Sequence, residues 1–163
     1  MAKSAGHIRA SKWENSIYHE GGVRKEYGEL SDARKAIVKA ELKSVQATMV
    51  AALGNKKIKL NAGGEEIEVV FTKAGLEHVA RDAMLNLSGK YMSRKSMINI
   101  DEILRSSVYI EKQVPKEPRK DKKEFFFAHT DTQGRQLFLK VAFDRATNKK
   151  GRYYLYTVTD VLK

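Results

Sequence analysis

The sequence predicts an α+β domain, with helices packed on one face of a mostly antiparallel sheet that ends in a three-stranded meander. Three observations carry this expectation. Apolar residues recur at helical steps between Ser31 and Leu53. Aromatic, apolar and basic residues alternate along EFFFAHTD, RQLFLKVAF and RYYLYTVTDV, all lying between Glu124 and Lys163. The order along the chain is helix, hairpin, two helices and then about four strands, with no internal repeat.

Residues 1–30 are dense in charge, hold no sustained period and contain Gly21-Gly22. They read as a basic, partly ordered arm, with Trp13, Ile17 and Tyr18 as its docking side chains. Residues 31–163 then read as a single α+β domain. Ser31 caps a long amphipathic helix, Asp32 lies in its first turn, and Val38, Leu42, Val45, Met49 and Leu53 alternate in steps of three and four. Gly54 is expected to close that helix in the left-handed conformation. Lys57 to Leu60 and Glu65 to Phe71 alternate on either side of Asn61-Ala62-Gly63-Gly64, which predicts a hairpin. The glycine pair lacks a following Gly-Lys-Ser/Thr and opens no helix, so it is a turn and not a phosphate loop.

Thr72 caps a second helix whose apolar stripe is Leu76, Val79, Ala80, Ala83, Met84 and Leu87, with His78 and Arg81 beside it. Gly89 ends it. A basic linker from Lys90 to Lys95 leads to a short helix at about Asp101 to Ser107, with Ile100, Ile103 and Leu104 inward, and then to a strand from Val108 to Gln113. Pro115 and Pro118 place a charged loop before the meander.

A hydrophobic content of 42% over 163 residues supports one folded core. The formal net charge of +11 calls for an anionic partner, RNA or another nucleic acid above all. Lysines also solvate surfaces, as Lys56-Lys57 and the run from Lys116 to Lys123 are expected to do. Without cysteines the chain has neither disulfides nor thiolate metal sites. The N-terminal segment lacks the apolar core of a signal peptide, and nowhere do about 18 apolar residues run together, so a cytoplasmic protein with no membrane span is expected. His7, His19, His78 and His129 show no metal-ligand spacing, and no Gly-x-Ser-x-Gly elbow occurs, so neither a metal nor another cofactor is expected.

Function is sought on the meander. A four-residue loop from Asp131 to Gly134 would pair Thr130 with Arg135. Leu137, Leu139 and Val141 would then share a face with Phe126 and Ala128, while Phe138 and Lys140 would join Phe125, Phe127 and His129 on the other. Matching apolar faces puts Tyr153 and Leu155 with Val141, and Arg152, Tyr154 and Tyr156 beside Lys140. The candidate catalytic set is His78, His129, Lys140, Tyr154 and Tyr156. Arg81, Arg135 and Arg152 are the candidate phosphate contacts, and Phe127 and Phe138 the stacking platforms. Such a surface suits single-stranded RNA, whose 2′-hydroxyl is itself a nucleophile: an imidazole takes or gives the proton, and a lysine stabilises the phosphorane charge.

The segments FTKAGLEHVARDA, INIDEILRSSVYIE, EFFFAHTD-TQGRQLFLKVAFD and GRYYLYTVTDV resemble the barnase-EndoU-colicin-RelE-like group of phage and mobile-element polyproteins. The likeness covers residues 71–163 and is closest to the domains associated with large polyvalent proteins. The resemblance implies a small α+β fold and a metal-independent ribonuclease, often a toxin, although some members are binding modules. It further implies His78 as the helix histidine, Lys140 as the mid-strand basic residue, and Thr157 or Thr159 as the final-strand hydroxyl. The assumed register puts both threonines on the face opposite Lys140.

The expected function is therefore that of an RNA-directed domain, with metal-independent endoribonuclease activity as its sharpest form. The alternatives are a noncatalytic nucleic-acid-binding module, or a phage structural or inhibitory protein that binds an acidic partner. A cognate immunity protein is a further expected partner.

Overall fold

The computed structural model describes residues 17–110, 124–144 and 152–162. Within the N-terminal segment, Gly21 and Gly22, both at positive φ, turn the chain between β1 (His19–Glu20) and β2 (Val23–Arg24), and Tyr27–Glu29 adds one 3-10 turn. Ile17, Tyr18 and Leu30 are buried in the main core, so residues 17–30 pack against the rest of the chain. Trp13 and His7 lie outside the described residues, as do the prolines and the lysine run of the charged loop.

Helix α1 (Asp32–Leu53) forms as its period requires, with the Ser31 hydroxyl accepting from the Arg34 amide and Val38, Leu42, Val45, Met49 and Leu53 buried. Its end differs from expectation. Gly54 has φ −54°, and the left-handed residue is Asn55 at φ 67°. Asn visits that region more readily than other residues with a side chain. Gly54 is confined by space instead, since a Cβ there would stand 2.6 Å from the Val50 carbonyl oxygen.

Strands β3 (Lys57–Ala62) and β4 (Glu65–Val70) form the expected hairpin about Gly63-Gly64, whose positive φ angles suit a two-residue turn. Lys56 does more than solvate the surface: its ammonium is 2.5 Å from the buried carboxylate of Asp101. Thr72 caps α2 (Lys73–Arg81), which runs on as a π-helical turn over Asp82–Asn86. Helix α3 (Arg94–Ile98), capped by the Ser93 hydroxyl, begins inside the expected basic linker, and α4 (Ile100–Ser106) follows.

Strand β5 (Val108–Ile110) and the meander β6 (Glu124–Thr130), β7 (Gln136–Phe143) and β8 (Arg152–Thr159) complete the architecture. Six strands lie in the order β3-β4-β8-β7-β6-β5, with every pair antiparallel except β4 and β8. The helices cover one face, where Leu76, Val79, Met97, Ile100 and Leu104 meet Leu137, Leu139, Val141 and Leu155 in one core. No helix among the described residues is long and apolar enough to cross a membrane.

The register of β6 on β7 is one residue away from the expected one. Thr130 pairs with Gln136, not Arg135. The Asp131 carboxylate accepts the amides of Gln133 and Arg135, at 2.9 and 2.8 Å, and the Asp131 amide donates to the Arg135 carbonyl. Arg135 therefore belongs to a five-residue loop, with Gly134 at φ 80°. A one-residue slip exchanges faces. Phe125, Phe127 and His129 consequently stand opposite Val141, Leu139 and Leu137 on the helix-covered face, whereas Phe126 and Ala128 stand opposite Lys140 and Phe138 on the outer face.

A second irregularity affects β8. Val141 pairs with Leu155, but Lys140 pairs with Thr157, so a bulge lets two residues of β8 oppose one of β7. The bulge returns Val158 to the core after Leu155, which strict alternation forbids, and brings Thr157 and Thr159 to the face of Lys140. The expectation that these threonines lie opposite Lys140 is thereby corrected.

Candidate functional site

Parallel pairing of β4 with β8 covers Arg152, Tyr153 and Tyr154 and then stops, because β4 ends at Val70 and the chain turns into α2. Helix α2 occupies the remaining edge of β8. Gly75 makes this close approach possible: a Cβ there would come within 2.3 Å of the Leu155 carbonyl oxygen and 3.2 Å of the Tyr154 ring. One turn on, His78 Nδ1 lies 2.6 Å from the Tyr156 carbonyl oxygen, the backbone group that the bulge turns outward to the helix. After another turn, Asp82 accepts from the Thr157 hydroxyl.

Asp82 and His78 are four residues apart on the same helix, with Oδ2 of the carboxylate 3.1 Å from Nδ1 of the ring. Asn86 Nδ2 donates to the other carboxylate oxygen at 2.8 Å. Asp82 is buried, yet the His78 side chain is 48% exposed, so a buried acid backs an imidazole that solvent reaches. Nδ1 thus faces two oxygens able to accept a hydrogen bond, the Tyr156 carbonyl and the Asp82 carboxylate.

Around the imidazole, the Tyr156 ring centroid is 6.4 Å from that of His78 and 5.9 Å from that of Tyr154. Tyr156 donates its hydroxyl to Glu124 at 3.2 Å, which reaches across the outer face from β8 to β6. Burial, and then the charge of Glu124, push the Tyr156 phenol well above its ordinary range, so it is a hydrogen-bond donor at neutral pH. Lys140 stands opposite Thr157, half-buried, with its ammonium 5.3 Å from the centre of the Phe126 ring.

Three residues of the expected catalytic set, His78, Tyr154 and Tyr156, thus stand in a row of neighbouring rings beside the bulge, while Lys140 pairs with Thr157 across it and turns its ammonium to Phe126. His129 does not join them, because the register places it opposite Leu137 on the other face. Phe127 is corrected for the same reason. Its ring is buried in the core against Tyr109 and offers no platform to a base. Phe138 remains on the outer face, half-buried, between Ala128 and Thr159.

The three arginines differ in their freedom. Arg81 is exposed on α2, one turn after His78. Arg152 is 2.5 Å from Glu68 across the β4–β8 pair. Arg135 is bound to Asp131 at 2.7 Å and to the Lys90 carbonyl, and it lies 5.0 Å over the Tyr91 ring, where it fastens the β6–β7 loop.

Asp82 escaped the sequence reading, although its signals were present: an acidic residue inside an apolar stripe, four positions after a histidine. Glu124 escaped it too, since nothing local shows which strand lies within reach of a tyrosine hydroxyl.

No curated protein and no solved structure matches this chain. The family model described as large polyvalent protein-associated domain 3 matches residues 33–154, which begin in α1 and so extend the resemblance well before Phe71. The matched span contains His78, Asp82, Lys140 and Tyr154. The chain belongs to the large polyvalent protein-associated domain 3 family, which links it to phage and mobile elements.

Proposed function

We propose that this domain is a metal-independent endoribonuclease of the barnase-EndoU-colicin-RelE-like group, acting on single-stranded RNA at the bulge of β8. The observation that carries this reading is the exposed imidazole of His78, backed by buried Asp82 and followed by the rings of Tyr156 and Tyr154. Nε2 of His78 takes the proton of a ribose 2′-hydroxyl, and the oxygen attacks the adjacent phosphorus to form a cyclic phosphate as the bond to the 5′-oxygen breaks and that oxygen takes a proton from water. Tyr156, kept protonated by burial, exchanges its Glu124 acceptor for a phosphate oxygen when RNA binds. Lys140 and Arg81 supply positive charge to the phosphorane and the neighbouring backbone. Tyr154 and Phe138 offer ring surface to unpaired bases.

The test is cleavage of end-labelled RNA in the presence of EDTA. The expected products carry a 2′,3′-cyclic phosphate, and a 2′-deoxy substitution at the cleaved position abolishes the cut. His78→Ala is expected to lower the rate by about 100-fold or more, the usual range for a general base, with Lys140→Ala also strongly reduced. Full activity in both variants would sink the mechanism. Salt-sensitive binding with no cleavage by the wild-type protein would instead favour a noncatalytic nucleic-acid-binding module.

A further inference from the structure

We propose that Asp82 is a positioning residue, which holds His78 in the Nδ1–H tautomer so that Nε2 is the nitrogen presented to substrate; this rests on the endoribonuclease reading above. The acceptors around Nδ1 set the tautomer. The Tyr156 carbonyl oxygen, 2.6 Å away, can only accept, and Asp82 Oδ2 stands 3.1 Å away. A hydrogen on Nδ1 satisfies this pair, whereas a bare Nδ1 would set its lone pair against two oxygens.

The carboxylate is itself held in place. Thr157 donates to Oδ2 and Asn86 to Oδ1, and the residue is only 7% exposed, so it has little freedom to follow a different ring orientation. Its backbone is unusual as well. The Asp82 carbonyl accepts from the Leu87 amide at 2.9 Å, the five-residue span of a π-helical turn, and such turns are frequent at functional sites. The turn begins at Asp82, whose carboxylate meets the histidine one α-helical turn before it and a threonine of the β8 bulge, and it carries Asn86 to the other carboxylate oxygen. The bulge in turn brings the Tyr156 carbonyl to the His78 ring.

Two-bond proton–nitrogen correlation spectra of uniformly nitrogen-15-labelled protein, recorded where His78 is neutral, read the tautomer directly. In the wild-type protein the Nδ1 resonance is expected at the protonated position and Nε2 at the unprotonated one. Asp82→Asn is expected to give a mixture of tautomers, because its amide can donate where the carboxylate only accepts. RNA cleavage is expected to fall by about 100-fold or more, in kcat and not in KM, by analogy with loss of the orienting acid elsewhere. A wild-type His78 carrying its hydrogen on Nε2 would overturn the proposal, and that measurement needs no variant to fold. Unchanged ring resonances in folded Asp82→Asn would also overturn it. Cleavage that survives His78→Ala would overturn the endoribonuclease assignment of His78, while the ring tautomer still decides the role of Asp82.

Discussion

Single side chains divide here between those that hold the fold and those that it exposes. Tyr18 holds it: the residue is fully buried and donates its hydroxyl to the Met84 carbonyl at 2.7 Å, inside the π-helical turn. Tyr18→Phe leaves that carbonyl without this donor, so urea unfolding is expected to show a loss of about 1–3 kcal/mol, with the ring packing retained. Tyr156 is tuned by burial and by Glu124, and its phenol ionises at a higher pH in the folded protein than in the unfolded chain. Its stabilising contribution is therefore complete below about pH 10, the ordinary tyrosine value, and declines as pH rises beyond it. Thermal unfolding between pH 8 and 11 is expected to show a steeper alkaline fall for the wild-type protein than for Tyr156→Phe. Equal slopes would show that the phenol is not so shifted. At acid pH the sign reverses for Asp131. Burial raises its pKa, but the hydrogen bonds from Arg135 and Gln133 outweigh burial and hold the carboxyl below its ordinary range. Its contribution is present above the usual carboxylate pKa and lost as pH falls through the lowered value.

At the scale of elements, the close approach of α2 to β8 decides whether the candidate site exists. Gly75 sits where a side chain would strike the Leu155 carbonyl, a backbone atom that cannot rotate away. Gly75→Ala is expected to destabilise the protein by about 1–3 kcal/mol, the usual cost of overpacking, and to draw His78 away from the Tyr156 carbonyl. A melting temperature equal to that of the wild-type protein, with unaltered His78 ring resonances, would contradict this account. The helices themselves were legible in the sequence because capping and periodicity are local: Ser31 and Thr72 act as the caps that their chemistry predicts. Strand registers were not. The β6–β7 register depends on how the Asp131 carboxylate uses the Arg135 amide, and that one hydrogen bond moved His129 and Phe127 to the other face. The β8 bulge did leave a trace in the sequence, since Leu155 and Val158 are both apolar and three apart, which two-residue alternation cannot accommodate.

Across the whole molecule, the net charge of +11 sets an expectation for any RNA complex. Affinity is expected to fall linearly with the logarithm of salt concentration, with a slope of about −0.7 for each phosphate neutralised on a single strand. Arg81 is exposed, so Arg81→Ala is expected to reduce the slope by about one contact. Arg152 is already paired with Glu68, and Arg152→Ala is expected to leave the slope unchanged. Fluorescence anisotropy with a labelled single strand from 50 to 300 mM salt checks both. A larger effect at Arg152 than at Arg81 would place the RNA path over β4 instead of along α2. The sequence by itself determined the α+β class, the order of elements, the Ser31 and Thr72 N-caps, the glycine hairpin and the inward set of Leu137, Leu139 and Val141, because each follows from local period and turn chemistry. Only the tertiary structure decided which groups of β8 face His78 and Asp82. Thr157 and the Tyr156 carbonyl come to that pair through a helix lying along a strand edge and through a bulge, and contacts between segments about 75 residues apart carry no local signal.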